Sequence, residues 1–450
     1  MAVEASSAPG AVVIDDVGAR PTERLPLLQL VQLSIYWFGI QSIWGGVGVF
    51  TQERIPILVP AGQGGFYLAL TGWITLPIVL AIQPTVGALS DYTISRWGRR
   101  KPYIVIGTLL DVVFITGLAT SQTYLSVVAF LALLQFSSNF AQGPFQGYVP
   151  DLVPQAQVGL ASALMGSMQT VGFVAGNIVI ATAYRLGDFV TPMIVLGLVE
   201  LATGMVTVFT VREGGAAKSR NGRSWASIGR SAWGFDILRE RSFVFLVVSR
   251  LLFLAGVNVL LGFYILFLTR SLGFGPAEKE LWVPLITGAV AVFTAITTIP
   301  SGILSNRFGR KPMIYLACAV GTVGLATIGS APSIEIVLVG AILVGVGSGT
   351  FLAVDWALMT DIIPKASSGR FMGISNLAVG LAGPTAGFVA GPLIDLVGGV
   401  AETGEGPRAA FLVGSLLFIL AAAFLRPVDP RPREGRLIVT PAPAPAPSTA

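Results

Sequence analysis

The sequence contains no histidine and a single cysteine, Cys318, in 450 residues. One cysteine excludes an intramolecular disulfide. The two scarcities together exclude a thiolate zinc cluster, Ser-His or Cys-His nucleophilic catalysis and an imidazole proton shuttle. Charge is also scarce. There are 28 basic and 23 acidic residues, together 11% of the chain, against about 25% in an ordinary soluble domain. A water-facing surface this poor in charge would not stay dispersed, which argues against a soluble enzyme, a nucleic-acid binder and a disordered chain. No Walker phosphate-binding sequence occurs, and no cluster of metal-ligating residues is apparent. The sequence therefore predicts neither cofactor nor metal.

What the chain has is apolar length. Hydrophobic residues make up 53% of it and the mean hydropathy is +0.77. A bilayer-spanning helix needs about 20 apolar residues. Charge-poor stretches of that length centre near residues 38, 78, 112, 135, 170, 200, 255, 293, 321, 346, 382 and 417. They predict an all-α, multi-pass membrane protein of twelve spans. With the N-terminus taken as cytoplasmic, 22 of the 28 basic residues fall in loops or tails on that side and five on the other, leaving Arg250 within a span. This asymmetry predicts that both termini are cytoplasmic.

The organisation follows: a tail over 1–26, a six-helix half over 27–211, a basic linker over 212–241, a second half over 242–426 and a Pro/Ala-rich tail over 427–450. The linker mixes aromatic and basic residues around Trp225. It reads either as a short amphipathic helix on the inner leaflet or as an unstructured connection.

The halves repeat. After the second span come Gly87, Ser90, Asp91, Arg96, Gly98, Arg99, Arg100, Lys101 and Pro102; after the eighth come Gly302, Ser305, Asn306, Arg307, Gly309, Arg310, Lys311 and Pro312. The same offset of 210 residues relates Pro102 to Pro312 and Asp151 to Asp361. Such duplication is the mark of transporters that rock two halves around a central site.

The Gly-x-x-Ser-Asp loop with its basic cluster resembles the signature of the major facilitator superfamily. In its longer form, with Gln83, Pro84, Val86 and Ser95, and with Asn139, Gln142, Gly143 and Pro144 in the fourth span, the chain resembles the sucrose/H+ symporters and the related glycoside–pentoside–hexuronide transporters. The resemblance implies that Asp91 stabilises one conformational state through neighbouring charges. It implies a gate at the inner face, with Arg99 or Arg100 reaching Asp151 and Arg310 reaching Asp361; simple positive-inside loop charge is the alternative. Arg96 and Arg307 belong to the same clusters, and Gly87, Gly98 and Gly309 give the turns. Asn306 in place of an acid predicts unequal gates.

The resemblance also places spans 1, 4, 7 and 10 around the cavity. Four charges lie at membrane depth, where each costs at least about 2.5–3.5 kcal/mol unless paired or neutralised. Arg250 and Asp355 fall on cavity helices, as a proton-coupling pair or as a static one. Asp111 and Glu200 fall on supporting helices, with coupling or structural hydrogen bonding both open.

The remaining cavity candidates are Tyr36, Trp37, Gln41 and Trp44; Gln135, Asn139, Gln142 and Gln146; Asn258 and Tyr264; and Trp356. Amides offer donors and acceptors to hydroxyl groups, and aromatic faces suit sugar rings, although the same residues can tie helix to helix. Where the sucrose symporters carry an acid and an arginine, this chain has Gln135 and Gln146, which weakens sucrose as the substrate. The expectation is a monomeric secondary active transporter in a prokaryotic plasma membrane, moving a sugar or glycoside with protons. An exporter of an amphiphilic compound and a non-transporting receptor with a transporter fold are the alternatives.

Overall fold

The computed structural model describes residues 23–148, 152–154, 157–213, 224–226, 240–362, 368–399 and 403–429. The reading of the linker as a surface helix falls largely outside them, as does the Pro/Ala-rich tail.

The described chain is a bundle of long helices. The first span is two pieces, α1 (Leu27–Ser34) and α2 (Tyr36–Leu58). Then come α3 (Gly64–Ser90), α4 (Lys101–Ala119), α5 (Tyr124–Gln146), α6 (Val158–Leu186) and α7 (Val190–Thr210). The second half holds α8 (Arg241–Leu266), continued by a π-turn over Phe267–Ser271, α9 (Pro276–Phe308), α10 (Arg310–Gly329), α11 (Ile334–Ile362), α12 (Ser368–Gly398) and α13 (Glu405–Leu425). Eleven of these helices are long and apolar enough to cross a membrane. The first span falls short in composition because α2 carries Gln41, Gln52, Glu53 and Arg54.

Sequence explains the helix ends. Thr123 caps α5 through a reciprocal box with Ser126, which satisfies two orphan donors. Gly187 ends α6 in the left-handed conformation, φ +73°. The break at Ile35 is stabilised from α7, where the Thr207 hydroxyl donates to the carbonyl of Gln32 at 2.8 Å.

The repeat is visible in packing. Within each half the same pairs meet: α2 on α6 and α8 on α12, α3 on α5 and α9 on α11, α4 on α7 and α10 on α13. Between halves, α3 meets α12 and α6 meets α9, again an equivalent pair. With no hydrophobic gain between helices in lipid, close backbone approach must supply much of the contact. Gly45, Gly172 and Gly176 provide it between α2 and α6: a Cβ on any of them would run into a carbonyl of the facing helix. Gly345 and Gly349 do the same between α9 and α11. Gly87 corrects one expectation. It lies inside α3, and its role is not a turn but a close approach to Gly143 of α5, whose carbonyl would be 3.3 Å from a Cβ there.

Candidate functional site

In the second half, α8 brings Arg250 and α11 brings Asp355 to one buried point, 3% and 0% exposed. Arg250 Nη1 stands 3.3 Å from Asp355 Oδ2. One turn away on each helix, Phe253 and Phe351 stack at 3.9 Å with an interplanar angle of 5°, which fixes the register that makes the charges meet. The same Nη1 donates to Ser375 Oγ of α12 at 2.8 Å. Neither oxygen of Asp355 accepts a hydrogen bond among the described residues. The carboxylate is therefore held by charge alone, an arrangement in which desolvation offsets much of the Coulomb gain.

In the first half, Asp111 of α4 and Glu200 of α7 are buried opposite each other, between the contact of Thr108 with Gly204 and that of Ile115 with Gly197. The neighbour that the sequence left unnamed for each is the other. Tyr36 departs from its expected place at the cavity: it is fully buried against α7 and edge-on to Phe145. Tyr264 is also buried, donating to Asn177 Oδ1 across the halves at 3.0 Å.

The other cavity candidates are half-buried, except Asn139, which is buried, and Gln146, which is exposed. Along α5, Asn139 Nδ2 donates to the carbonyl and Oε1 of Gln135 at 2.8 and 3.2 Å, and Gln142 Nε2 donates to Ser138 Oγ at 2.8 Å. Asn258 Nδ2 donates to the carbonyl of Leu254 at 2.8 Å. These bonds orient the amides along their own helices. Trp37 packs on Phe145 at 5.6 Å, and Gln41 and Trp44 follow on the same helix. The side chain of Trp356 lies outside the described residues.

The face bearing the basic loops carries a built cluster. Arg100 Nη2 donates to Asp91 Oδ1 at 2.9 Å. Its guanidinium lies over the Tyr148 ring, 5.8 Å from the centroid, in space that the missing side chain of Gly147 leaves open. Beneath it, Glu213 accepts the backbone N–H groups of Arg99, Arg100 and Lys101 at 2.6, 3.2 and 2.9 Å, and the Tyr148 hydroxyl at 2.7 Å. A carboxylate at a helix N-terminus satisfies orphan donors and meets the positive end of the dipole. Gly98 permits this, because its φ is +113° and a Cβ would collide with Glu213.

The expected partner Asp151 lies outside the described residues, as does the side chain of Asp361. Arg96 and Arg307 are exposed, each over an adjacent ring. In the second copy Gly309 again has a positive φ, +91°. Ser90 and Ser305 donate to the carbonyls of Gly87 and Gly302, both at 2.7 Å. With Asn306 in the acid's place, Arg310 Nη1 donates instead to Ser305 Oγ at 2.5 Å.

At the opposite face ionic contacts tie the halves together. Lys279 of α9 meets Glu53 of α2 at 2.7 Å, with side chains 6% and 9% exposed. Its ammonium lies 4.5 Å from the ring centroid of Tyr184 on α6 and 3.3 Å from Thr269 Oγ1. Beside it, Asp395 of α12 accepts the first-turn N–H groups of Gly65 and Phe66 in α3 at 3.0 and 2.5 Å, with Arg270 at 3.8 Å. Gln52 donates to Leu261 O at 3.1 Å and accepts from Ile265 N–H at 3.3 Å. Its amide thus enters the ladder of α8 just before the π-turn, a common kind of helix irregularity at functional positions. In the sequence, Arg270 and Lys279 are two of the five basic residues placed on the side opposite the basic loops. The signal that could have paired them was an acid, Glu53 or Asp395, at a matching end of a span.

The profile of the Major Facilitator Superfamily matches residues 30–276 and again residues 246–448. An uncharacterized MFS-type transporter of Methanocaldococcus jannaschii is 22% identical over 82% of this chain and 88% of its own length. The multi-drug resistance efflux pump PmrA of Streptococcus pneumoniae is 30% identical over 37% of this chain and 40% of its own. The sucrose transport protein SUT1 of Oryza sativa subsp. japonica is 31% identical over 29% of each. The chain thus matches less than half the length of the latter two. Among solved structures, the nucleoside transporter NupG superposes with a TM-score of 0.71 at 14% identity over 89% of this chain and 98% of that one. A D-xylose-proton symporter superposes with a TM-score of 0.66 at 18% identity over 88% and 95%. With a profile that fits both six-helix halves and a matching fold, the chain belongs to the Major Facilitator Superfamily, whose members are membrane transporters and not enzymes.

Proposed function

We propose that the chain is a secondary active transporter that carries a small polyhydroxylated solute, a sugar or glycoside, together with protons. It works by alternating access between the 27–211 and 242–426 halves, with the basic face and both termini in the cytoplasm. The observation that carries the coupling is the Arg250–Asp355 pair, buried at 3.3 Å and linked through Ser375 to α12. α12 is one of the helices on which the halves meet. Protonating Asp355 removes the charge that holds Arg250, frees the guanidinium for a solute oxygen, and loosens a link to the moving seam.

The amides Gln41, Gln135, Asn139, Gln142 and Asn258, with Trp37 and Trp44, supply the hydrogen-bonding and stacking groups that a sugar requires. The similarity to a sucrose transport protein over part of the chain and the fold shared with a D-xylose-proton symporter support this reading. Asp91, Arg100 and Glu213 form the inner gate. Glu53 with Lys279, and Asp395 with Arg270, form the outer one, which is closed in this state.

The test is uptake of labelled sugars into proteoliposomes with and without an inward proton gradient. Gradient-driven accumulation is expected in the wild type. Asp355→Asn is expected to lose accumulation and keep exchange. Accumulation that ignores the gradient overturns the coupling. The efflux reading is favoured by one observation, the similarity to a multidrug efflux pump over 37% of the chain. In that case the same vesicles would extrude an amphiphilic dye and ignore sugars.

A further inference from the structure

Asp111 and Glu200 form a second buried ionisable site, separate from Arg250 and Asp355 and in the other half. Their side chains are 0% and 1% exposed. They face each other where α4 packs on α7, between the Thr108–Gly204 and Ile115–Gly197 contacts, and the Ser137 hydroxyl donates to Asp111 Oδ1. One oxygen of each carboxyl, Asp111 Oδ2 and Glu200 Oε2, has no donor among the described residues.

The surroundings supply little else. From α2 the facing titratable group is Tyr36, and from α5 the facing group is Ser137, which does not titrate. From α1 and α6 no titratable side chain among the described residues adjoins the pair, and no lysine or arginine does so from any element packed on α4 or α7. Two ionised carboxylates facing each other in a dry site are excluded by desolvation and by repulsion. One proton between them resolves both problems, as in carboxyl pairs that titrate as a unit.

Tyr36 is the second observation. Its hydroxyl is fully buried, has no hydrogen-bond partner among the described residues and lies in the field of both carboxyl groups. It is the first residue of α2, directly after the break at Ile35. One turn on, Gly39 rests on the Glu200 backbone, where a Cβ would come within 2.7 Å of the Glu200 Cα. On the other side of the break Thr207 of α7 holds the carbonyl of Gln32. The break in the first span is therefore clamped to the helix that carries Glu200.

We propose that Asp111 and Glu200 form a proton-binding site of the first half, holding one shared proton, with Tyr36 as the group that reports its occupancy to the α1–α2 break. Removal of the proton leaves two negative charges whose free donor among the described residues is the Tyr36 hydroxyl. Drawing that hydroxyl in turns α2 at its first residue. The link to transport rests on the proton-coupled reading above; the binding of the proton does not.

The test is infrared spectroscopy of the full chain in lipid vesicles, in light and heavy water at neutral pH. A protonated-carboxyl band sensitive to the isotope is expected in the wild type. It should be lost in the Asp111→Asn/Glu200→Gln double variant, shifted in Tyr36→Phe, and unchanged in Asp355→Asn. Tyr36→Phe keeps both acids, so it remains informative if the double variant does not fold. A band that persists in the double variant overturns the proposal, as does a Tyr36→Phe spectrum identical to the wild type. Thermal stabilisation by sodium ions that disappears in the double variant also overturns it, because a metal cation would then occupy the pair. If sugar accumulation ignores the gradient while the band behaves as expected, the coupled-transport reading fails and the site stands.

Discussion

Replacing Lys279 with methionine removes the ammonium from the seam between α9 and α2 and keeps most of its length. In the closed state Glu53, 9% exposed, then faces the Tyr184 ring and Thr269 with no cation. Removing one member of a buried ion pair costs about 3–5 kcal/mol. Glu53 retains some solvent contact, so the lower end applies, about 3 kcal/mol. When the halves part at this face, Glu53 hydrates and the penalty vanishes, so it acts on the closed state alone. At 1.4 kcal/mol per tenfold, the closed-to-open ratio should fall roughly a hundredfold.

Spin labels on Thr120 and Ser330 read this directly. The two residues are exposed at equivalent loops of the two halves on that face, and the native Cys318 is 2% exposed and out of reach of label. Pulsed dipolar spectroscopy should show a shorter distance in the parent and a longer, dominant one in Lys279→Met. The swapped pair Glu53→Lys/Lys279→Glu should recover the shorter distance. An unchanged distribution in Lys279→Met would refute the assignment of this pair as a latch.

Two further expectations follow from the packing and the loop. Glu213→Gln keeps the shape at the start of α4 but weakens four charge-assisted bonds, each worth about 1.5–3 kcal/mol when the group is charged. The protein should melt at a lower temperature in detergent, and trypsin should cut after Arg96 or Arg99 faster. Gly176→Ala forces a methyl group into the Ser42 carbonyl and should destabilise by about 1–3 kcal/mol. Gly262→Ala, at a membrane position with no atom near a Cβ, should leave the melting temperature unchanged.

The spans were legible in the sequence because apolar length and charge scarcity are one-dimensional quantities. The twelve expected centres fall within about five residues of the helix midpoints. The duplicated loop was legible for the same reason, and its paired Ser90 and Ser305 bonds and positive-φ Gly98 and Gly309 follow from it. Side-chain direction was not legible. Tyr36 shares a helix with Trp37 and Gln41, yet faces α7, because a residue's place around α2 depends on which neighbours α2 packs against. Glu213 was hidden for another reason. It lies 113 residues from the Arg100 backbone that it caps, and only the fold brings α7's end to the start of α4. The pairing of Glu53 with Lys279 spans 226 residues and depends on how the halves meet, which a repeat alone does not specify.

The ionic seam between the halves has a consequence for water activity. In the closed state Glu53, Lys279, Arg270 and Asp395 are each about nine-tenths dry. Separation of the halves at this face rehydrates all four, so opening is a water-uptake step as well as a movement of helices. Osmolytes too large to enter the seam would lower water activity outside it and hold the face shut. Transport through this protein should therefore slow under osmotic stress in proportion to the water that those four charges recruit.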